Sequence, residues 1–509
     1  MRPHERSELS NELLQLLNKI KMLFNSIDFA IFLPIVFILY WYVFYKKLEW
    51  QNLLIVVVSY IFYGWWDWRF LLLIFFSTVV DFLIGRQLKI ESSNTKKRKT
   101  LLWGSIIVNL GFLGFFKYYN FFLENFITAF SFWGTTLNIE RLNIILPVGI
   151  SFYTFQTLSY TIDVYKRKLK PTEDFVAFAA FVSFFPQLVA GPIERATHLL
   201  PQFSSKRVFN YPKAVDGLRQ VLWGLFKKVV IADNCAEFAN LIFNNSADYS
   251  GSTLVLGAIL FTFQIYGDFS GYSDIAIGIA RLFGFDLMRN FAFPYFSRDI
   301  AEFWRRWHIS LSTWFRDYLY IPLGGSHGGR GLRIRNTFII FLVSGFWHGA
   351  NWTFIAWGAL NAFYFLPLLL LNNNRKNLDT VASGRVFPNV QEIFSMSFTF
   401  SLTVFAWIFF RAESISHACS YINAMLWGLT QKSSYVESIN LLYWKIGMSL
   451  PILLLVFLLI EWQGREKQFA LQNLGLEWKR PLRYLMYYII IFLIIWFGGK
   501  EQQFIYFQF

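Results

Sequence analysis

The chain has 509 residues, of which 55% are hydrophobic and 21% aromatic, while only 16% are charged. Soluble domains average about 25% charged residues, so this composition excludes an ordinary water-soluble protein. The formal net charge of +15 lies in short clusters between apolar runs. That distribution argues against nucleic-acid binding and for the positive-inside pattern of a membrane protein. The two cysteines, Cys235 and Cys419, support neither a disulfide framework nor a thiolate metal site.

The first twenty residues are too charged to form the apolar core of a signal peptide. Their charged residues include Arg2, Glu5, Arg6, Glu8 and Glu12. We therefore divide the chain into an N-terminal extension, 1–21, and a single membrane domain, 22–509. If Met22 is the natural start, the extension is dispensable.

Apolar runs near the length of a membrane crossing recur along the whole chain. They lie at 29–45, 52–66, 69–85, 101–123, 143–165, 174–191, 214–232, 252–284, 334–348, 352–371, 394–411, 417–429, 446–461 and 482–498. Some of these runs are too short or too polar to cross alone. The predicted fold is an all-α polytopic membrane protein with roughly 11–13 crossings and additional re-entrant pieces.

Basic loops set the predicted orientation. The clusters within 86–99 and 166–170 should both face the cytoplasm. Only one apolar run, 174–191, separates the second cluster from another basic set, so that run should enter the membrane and return. This set is Lys206, Arg207, Lys213, Lys227 and Lys228. Helix-breaking residues support this interpretation, namely Pro186, Gly191 and Pro192. We predict a re-entrant element near 174–203 that lines a cytoplasm-facing cavity, where interrupted backbone is tolerated.

Ionisable residues inside membrane segments are rare and are functional candidates by default. They concentrate between Gln264 and Trp352, where His308 follows two arginines and two tryptophans and His348 ends an apolar run. A histidine of near-neutral pKa can deprotonate a hydroxyl as it attacks a thioester. A core role for each histidine remains an alternative. A metal site is disfavoured because no carboxylate or cysteine stands at ligand spacing on the same helix. No serine lies in a recognisable nucleophile motif.

Five further residues are candidate substrate ligands. Arg305, Arg306 and Arg316 could hold an anionic donor, although arginines at a membrane interface also extend simply to reach water. Asp268 lies in the string GDFSG, which could equally serve close helix packing through its small residues. Asn351 follows His348 in the string WHGAN.

Several strings together resemble the membrane-bound O-acyltransferase superfamily, and most closely its bacterial alginate O-acetyltransferase branch. The main ones are QIYGDFSGYSDIAIG, EFWRRWHISLSTWFRDYLYIPLGG and SGFWHGANW, with PVGISFYTFQ, AGPIERA, the MLFNS at Met22 and the terminal FIYFQF in support. The resemblance covers nearly everything from Met22 onward and is weakest in 372–390 and 430–480. The order and spacing of the strings are more specific than any one of them.

The resemblance implies a ring of tilted helices around a thin centre, with funnels from both membrane faces and a tunnel between them. It implies that His348 is the essential catalytic residue and that His308 assists. It also implies an acetyl donor in the cytoplasm, acetyl-CoA, and a polysaccharide acceptor such as alginate, cellulose or peptidoglycan. A bacterial cytoplasmic membrane location, no bound cofactor and an extracytoplasmic SGNH-hydrolase-like partner are the further expectations.

Two alternatives stay open at this point. A related enzyme could transfer D-alanine or another acyl group from a carrier protein to teichoic acid. A transporter could use the same histidines for proton relay or gating, although no inverted pair of broken helices is visible in the sequence.

Overall fold

The computed structural model describes residues 22–91, 93–134, 137, 139–189, 191–498, 502, 504 and 505. The predicted extension 1–21 lies outside the described residues. All regular secondary structure in the described ranges is helical, which confirms the all-α prediction. The helices are α1 (Ile27–Ile38), α2 (Leu48–Asp67), α3 (Leu71–Ile90), α4 (Thr95–Leu113), α5 (Tyr119–Phe132), α6 (Ile150–Tyr165), α7 (Phe175–Ser183), α8 (Phe185–Leu188), α9 (Ala196–Phe203), α10 (Tyr211–Leu225), α11 (Asp233–Asn244), α12 (Gly251–Leu282), α13 (Ile300–Arg306), α14 (Ile309–Phe315), α15 (Arg330–His348), α16 (Trp352–Leu370), α17 (Val390–Arg411), α18 (Ile415–Gly428), α19 (Lys432–Asn440), α20 (Ser449–Gly464) and α21 (Arg480–Phe497).

By length and composition, six helical stretches of the described chain can cross a membrane, or seven if one pair bent by 90° counts as a single span. They are Leu48–Ile90, Thr95–Phe132, Gly251–Leu282, Trp352–Leu370, Val390–Arg411 and Arg480–Phe497. This number is lower than the predicted crossings for two reasons. First, the stretch Leu48–Ile90 is counted once although it contains two predicted runs, 52–66 and 69–85, which extended backbone at Asp67 (φ −164°) separates into two helices. Second, several predicted runs form helices shorter than a crossing needs.

Contacts between distant parts of the chain define two ends of the helical bundle. At one end, which we call the basic end, Lys89 and Glu173 form an ion pair of 2.5 Å that joins the two basic loops. Arg207 reaches the same end, because its guanidinium donates to the Asn52 side chain at the start of α2 (2.7 Å). At the opposite end, the Tyr63 hydroxyl donates to the Val148 carbonyl (2.8 Å). The basic loops therefore share one face, as the sequence predicted.

The segment predicted to be re-entrant is broken at two places. Helix α7 has nine residues and ends at Ser183, and the ψ of 106° at Phe184 separates it from the four-residue α8. The predicted breaker Pro186 lies in the first turn of α8, whereas Gly191 and Pro192 lie between α8 and α9. The Asn52 amide donates to the Phe203 carbonyl (2.9 Å), so the end of α9 lies back at the basic end. The chain thus leaves the basic end and returns to it between 174 and 203.

Helix α12 forms the centre of the fold. Of its most apolar window, 83% is buried inside the protein, compared with 6% for the peripheral α21. Small residues let α10 approach it closely: a Cβ at Gly271 would lie 2.8 Å from the Gly224 carbonyl oxygen, and one at Gly278 would lie 2.5 Å from the Gly217 oxygen. The glycines of the GDFSG region therefore serve helix packing.

Candidate active site

Helix α15 carries His348 at its C-terminal end, and close packing against α16 fixes the position of that end. A Cβ at Gly345 would lie 2.2 Å from the Phe354 carbonyl oxygen, and one at Gly358 would lie 2.3 Å from the Phe341 oxygen. The last carbonyls of a helix have no partner within it. Here the Tyr118 hydroxyl donates to the Phe346 carbonyl (2.9 Å). The histidine is therefore held both by the neighbouring helix and by the chain at 118.

His308 occupies an unusual backbone position just before α14. Its φ of 43° and ψ of 54° lie in the left-handed region, which is uncommon for residues other than glycine. Asn290 clamps the residues that follow: its carbonyl accepts from the Ile309 amide (2.8 Å), and its side-chain oxygen accepts from the Ser310 hydroxyl (2.9 Å). The Asn290 amide donates in turn to Ser273 of α12 (3.0 Å). These bonds hold the imidazole against the central helix.

The structure brings the two predicted histidines together from 40 positions apart in sequence. Their ring centroids are 6.5 Å apart, and both side chains are buried. At this separation the rings do not hydrogen-bond to each other directly. Aromatic rings surround them: Phe269 packs edge-on against His308 at 4.6 Å, and Trp357 packs edge-on against His348 at 5.2 Å.

A small cavity, here called the histidine cavity, opens beside His348. Its other walls come from three parts of the chain that meet at the end opposite the basic loops. The lining residues are Lys117, Leu146, Pro147, Val148, Gly149, Ile150, Ser151, Phe152 and Trp347.

A second and larger cavity, here called the arginine cavity, lies towards the other end of α15. It contains Arg316, Arg333 and Arg375, and it also touches Ile340 and Phe341 in the middle of α15. The 19-residue α15 is about 27 Å long at 1.5 Å per residue. One helix therefore connects a cationic cavity at its N-terminal part with the catalytic candidate at its C-terminus.

The predicted arginines differ in what they contact. The Arg305 guanidinium donates to the carbonyls of Asn374 (2.8 Å) and Asn377 (2.6 Å). Arg306 forms an ion pair of 2.8 Å with the buried Glu302. Of the three, Arg316 lines the arginine cavity, where its side chain is 60% exposed and forms an ion pair of 2.8 Å with the neighbouring Asp317. The structure thus anchors the first two arginines to distant parts of the protein or to a buried carboxylate, whereas the third faces the cavity beside an adjacent carboxylate.

The loop that Arg305 contacts is also held by an ion pair outside the membrane-spanning segments. Arg298 and Asp379 lie 2.9 Å apart. The hydrogen bond from the Arg298 guanidinium lowers the pKa of the Asp379 carboxyl, so this loop contact persists in the charged form at neutral pH.

The two other predicted ligands have contacts within the protein. Asp268 pairs with Lys228 at 2.8 Å and accepts from the Ile505 amide at 2.7 Å, which ties Ile505 to α12. Asn351 caps α16 by accepting from the Thr353 amide (3.0 Å), and its amide group donates to the Glu413 carbonyl (2.9 Å). Neither side chain lines the histidine cavity or the arginine cavity.

Three residues of the two cavities were missed in the sequence, namely Lys117, Arg333 and Arg375. Lys117 lies inside the predicted span 101–123, so an ionisable residue within an apolar run was the available signal. Arg333 and Arg375 lie in polar surroundings, where the sequence offers no comparable signal. Within the described part of the chain, no group of three or more His, Cys, Asp or Glu side chains is arranged to hold a metal ion.

The described chain is helical, with stretches long and apolar enough to cross a membrane, and His308 and His348 are buried in it with their rings 6.5 Å apart. The model of the membrane-bound O-acyltransferase family matches residues 166–409, a range that contains both histidines. Together with the relatives that follow, this match shows that the chain belongs to the membrane-bound O-acyltransferase family and is an O-acyltransferase.

Individual relatives place the chain within the family. The probable alginate O-acetylase AlgI of Pseudomonas aeruginosa is 38% identical over 464 residues, which cover 90% of this chain and 84% of that protein. The peptidoglycan O-acetyltransferase of Helicobacter pylori is 35% identical over 443 residues, covering 81% of each chain. The teichoic acid D-alanyltransferase of Streptococcus thermophilus is 28% identical over 275 residues, covering 51% of this chain and 64% of that protein.

Proposed function

We propose that this enzyme O-acetylates a bacterial envelope or extracellular polysaccharide, taking the acetyl group from cytoplasmic acetyl-CoA. The observation that supports this best is the position of α15 between the arginine cavity and the histidine cavity. The relatives with the higher identities and coverage are named for acetyl transfer to alginate and peptidoglycan, which favours acetyl over D-alanine. We further propose a cytoplasmic membrane location and an extracytoplasmic SGNH-hydrolase-like partner that delivers the acetyl group to its final acceptor.

In the proposed reaction, the arginine cavity holds the anionic part of the donor, because guanidinium groups bind phosphates well. The imidazole of His348 accepts the proton of an acceptor hydroxyl while that oxygen attacks the thioester carbonyl carbon. The carbon–sulfur bond then breaks, and the thiolate takes up the proton. His308, held by Asn290 against α12, orients the reacting groups. Arg305 and Arg306 support the site through the loop at 374–379.

The test is acetyl transfer by purified protein in detergent, with labelled acetyl-CoA and oligosaccharide acceptors. We expect His348→Ala to lower kcat by about 1000-fold, within the range that a positioned proton-transfer group contributes. His417→Ala is the matched control, because this histidine contacts Ser246 (3.2 Å) and lines neither cavity, and the rate of this variant should be unchanged. A His348→Ala protein that is folded and transfers acetyl at the wild-type rate would disprove the assignment.

The same assay separates the alternatives. Detergent removes any gradient across a membrane, so an enzyme continues to turn over while a transporter does not. Replacing acetyl-CoA with a D-alanyl carrier protein tests the teichoic acid alternative directly. Turnover with the carrier protein alone would overturn the proposed donor and leave the O-acyltransferase assignment in place.

A further inference from the structure

Lys117 is a charged residue in the middle of an apolar helical stretch. It lies in a π-helical turn, Gly114–Tyr118, inside the 38-residue stretch Thr95–Phe132. Charged side chains within membrane segments are costly to bury and usually have a function. Turns of this π-helical kind are frequent at functional sites. The sequence position and the local backbone therefore both single out this lysine.

The contacts of Lys117 place its ammonium group beside the catalytic candidate. Its Nζ donates to the carbonyls of Trp347 and His348, each at 2.9 Å, and lies 5.9 Å from the centroid of the Trp347 ring. An ammonium group has three N–H donors, and these two carbonyls accept from only two of them. Lys117 and His348 both line the histidine cavity.

The charge of Lys117 is not neutralised in the way that other buried lysines are. Lys227 pairs with Asp274 at 2.6 Å, and Lys228 pairs with Asp268 at 2.8 Å. None of the ion pairs among the described residues includes Lys117, whose acceptors are neutral backbone carbonyls. A cation of this kind, at the wall of a cavity of low polarity, attracts negatively charged oxygen strongly.

We propose that Lys117 is the cation of an oxyanion-binding subsite in the histidine cavity. This inference rests on the proposed acyl transfer. The negatively charged oxygen comes from one of two sources. The acceptor polymer can supply a carboxylate, as a uronate does. Alternatively, the thioester carbonyl supplies it: the acceptor oxygen bonds to the carbonyl carbon as His348 takes the hydroxyl proton, the C=O electron pair moves onto oxygen, and its return expels the thiolate, which receives the proton.

A purely structural role would be to cap the end of α15, since lysine near a helix C-terminus stabilises the last carbonyls. Two substitutions separate capping from charge. Lys117→Gln keeps N–H donors for the two carbonyls and removes the positive charge. Lys117→Arg keeps both the N–H donors and the positive charge. A capping role predicts near-normal activity for the glutamine variant, whereas an oxyanion subsite predicts a large loss that arginine restores in part.

The experiment measures acetyl transfer from acetyl-CoA to a charged acceptor, an oligouronate, and to a neutral one, a cello-oligosaccharide, in detergent. If the carbonyl oxygen is the ligand, Lys117→Gln lowers kcat about 100-fold with both acceptors, as expected for removal of one oxyanion donor. If the acceptor carboxylate is the ligand, KM for the oligouronate rises while values for the neutral acceptor are unchanged. Lys432→Gln, an exposed lysine at the start of α19, is the control and should behave as wild type.

A second measurement tests the inference without requiring turnover. The oligouronate and the neutral oligosaccharide are compared for their ability to raise the thermal unfolding temperature of wild type and Lys117→Gln. Wild-type kinetic values for Lys117→Gln with both acceptors would overturn the subsite. A wild type without any acetyl transfer would instead disprove the proposed function. In that case, stabilisation by the oligouronate alone, lost in Lys117→Gln, still supports a carboxylate-binding subsite. The absence of such a difference then overturns the inference as a whole, because the carbonyl source requires a reaction that does not occur.

Discussion

Two buried polar regions of this protein differ in the partners of their ionisable side chains. In the first, the ion-pair region, Lys227 and Lys228 face carboxylates of α11 and α12, namely Asp233, Asp268 and Asp274, at 2.6 to 2.8 Å. In the second, the histidine region, His308 and His348 lie among aromatic rings, and Lys117 faces backbone carbonyls. The first region also binds the end of the chain, since Lys228 donates to the Gln502 carbonyl at 3.1 Å.

The difference shows that burial of an ionisable group in a membrane protein does not by itself identify a catalytic site. The ion-pair region satisfies its charges internally and joins α10, α11, α12 and the C-terminal segment. The histidine region directs its polar groups to a cavity that can admit a ligand. A buried charge is a better functional candidate when its partners are neutral and a cavity adjoins it. Three predictions test this distinction.

The largest effect is expected from breaking the ion-pair region. Lys228→Met leaves Asp233 and Asp268 buried without their cation, and loss of one partner of a buried pair typically costs about 3–5 kcal/mol of stability. Thermal unfolding in detergent should show the loss, while kcat per folded molecule stays near wild type. Lys89→Met, which removes an exposed ion pair with Glu173, should not change unfolding measurably. A stable Lys228→Met protein with a much reduced kcat would contradict the distinction.

A smaller effect is expected where helix packing positions His348. At Gly345, an added methyl group meets the Phe354 carbonyl oxygen, and overpacking of this kind costs about 1–3 kcal/mol. We expect Gly345→Ala to lower both the unfolding temperature and kcat, because the end of α15 must shift. Gly331→Ala is the matched control on the same helix, since nothing lies within 4 Å of its added Cβ. Equal behaviour of the two variants would show that close packing at Gly345 does not position the histidine.

The two histidines of the histidine region could be selected from the sequence because their signals are local. His308 and His348 stand out as ionisable residues in apolar strings, and the re-entrant segment carries its own helix breakers. The roles of Arg305 and Arg306 were not predictable in the same way. Arg305 is anchored by the carbonyls of Asn374 and Asn377, which lie about seventy positions further along the chain. The string that contains the arginines does not indicate these partners.

The contacts of Lys117 were likewise not predictable from the sequence. Its span was predicted, but its carbonyl acceptors lie 230 and 231 residues further along the chain. Only the packing of the π-helical turn against the end of α15 gives the lysine its place in the histidine cavity. The predicted runs outnumber the stretches of the described chain that are long and apolar enough to cross a membrane, because hydropathy alone does not show where apolar runs end in short buried helices.

The smallest expected effect concerns the arginine cavity, where the same distinction applies to exposed charges. Arg333→Gln removes one cation from the cavity wall, and a hydrogen bond to a charged group is typically worth about 1.5–3 kcal/mol. Because two other arginines remain in the cavity, we expect KM for acetyl-CoA to rise only about tenfold, with kcat little changed. Arg330→Gln, an exposed arginine at the start of α15 that does not line the cavity, is the matched control. If KM is unchanged in Arg333→Gln, or rises equally in both variants, the donor does not bind at this wall. The distinction between internally satisfied charges and ligand-facing charges then fails at the N-terminal end of α15.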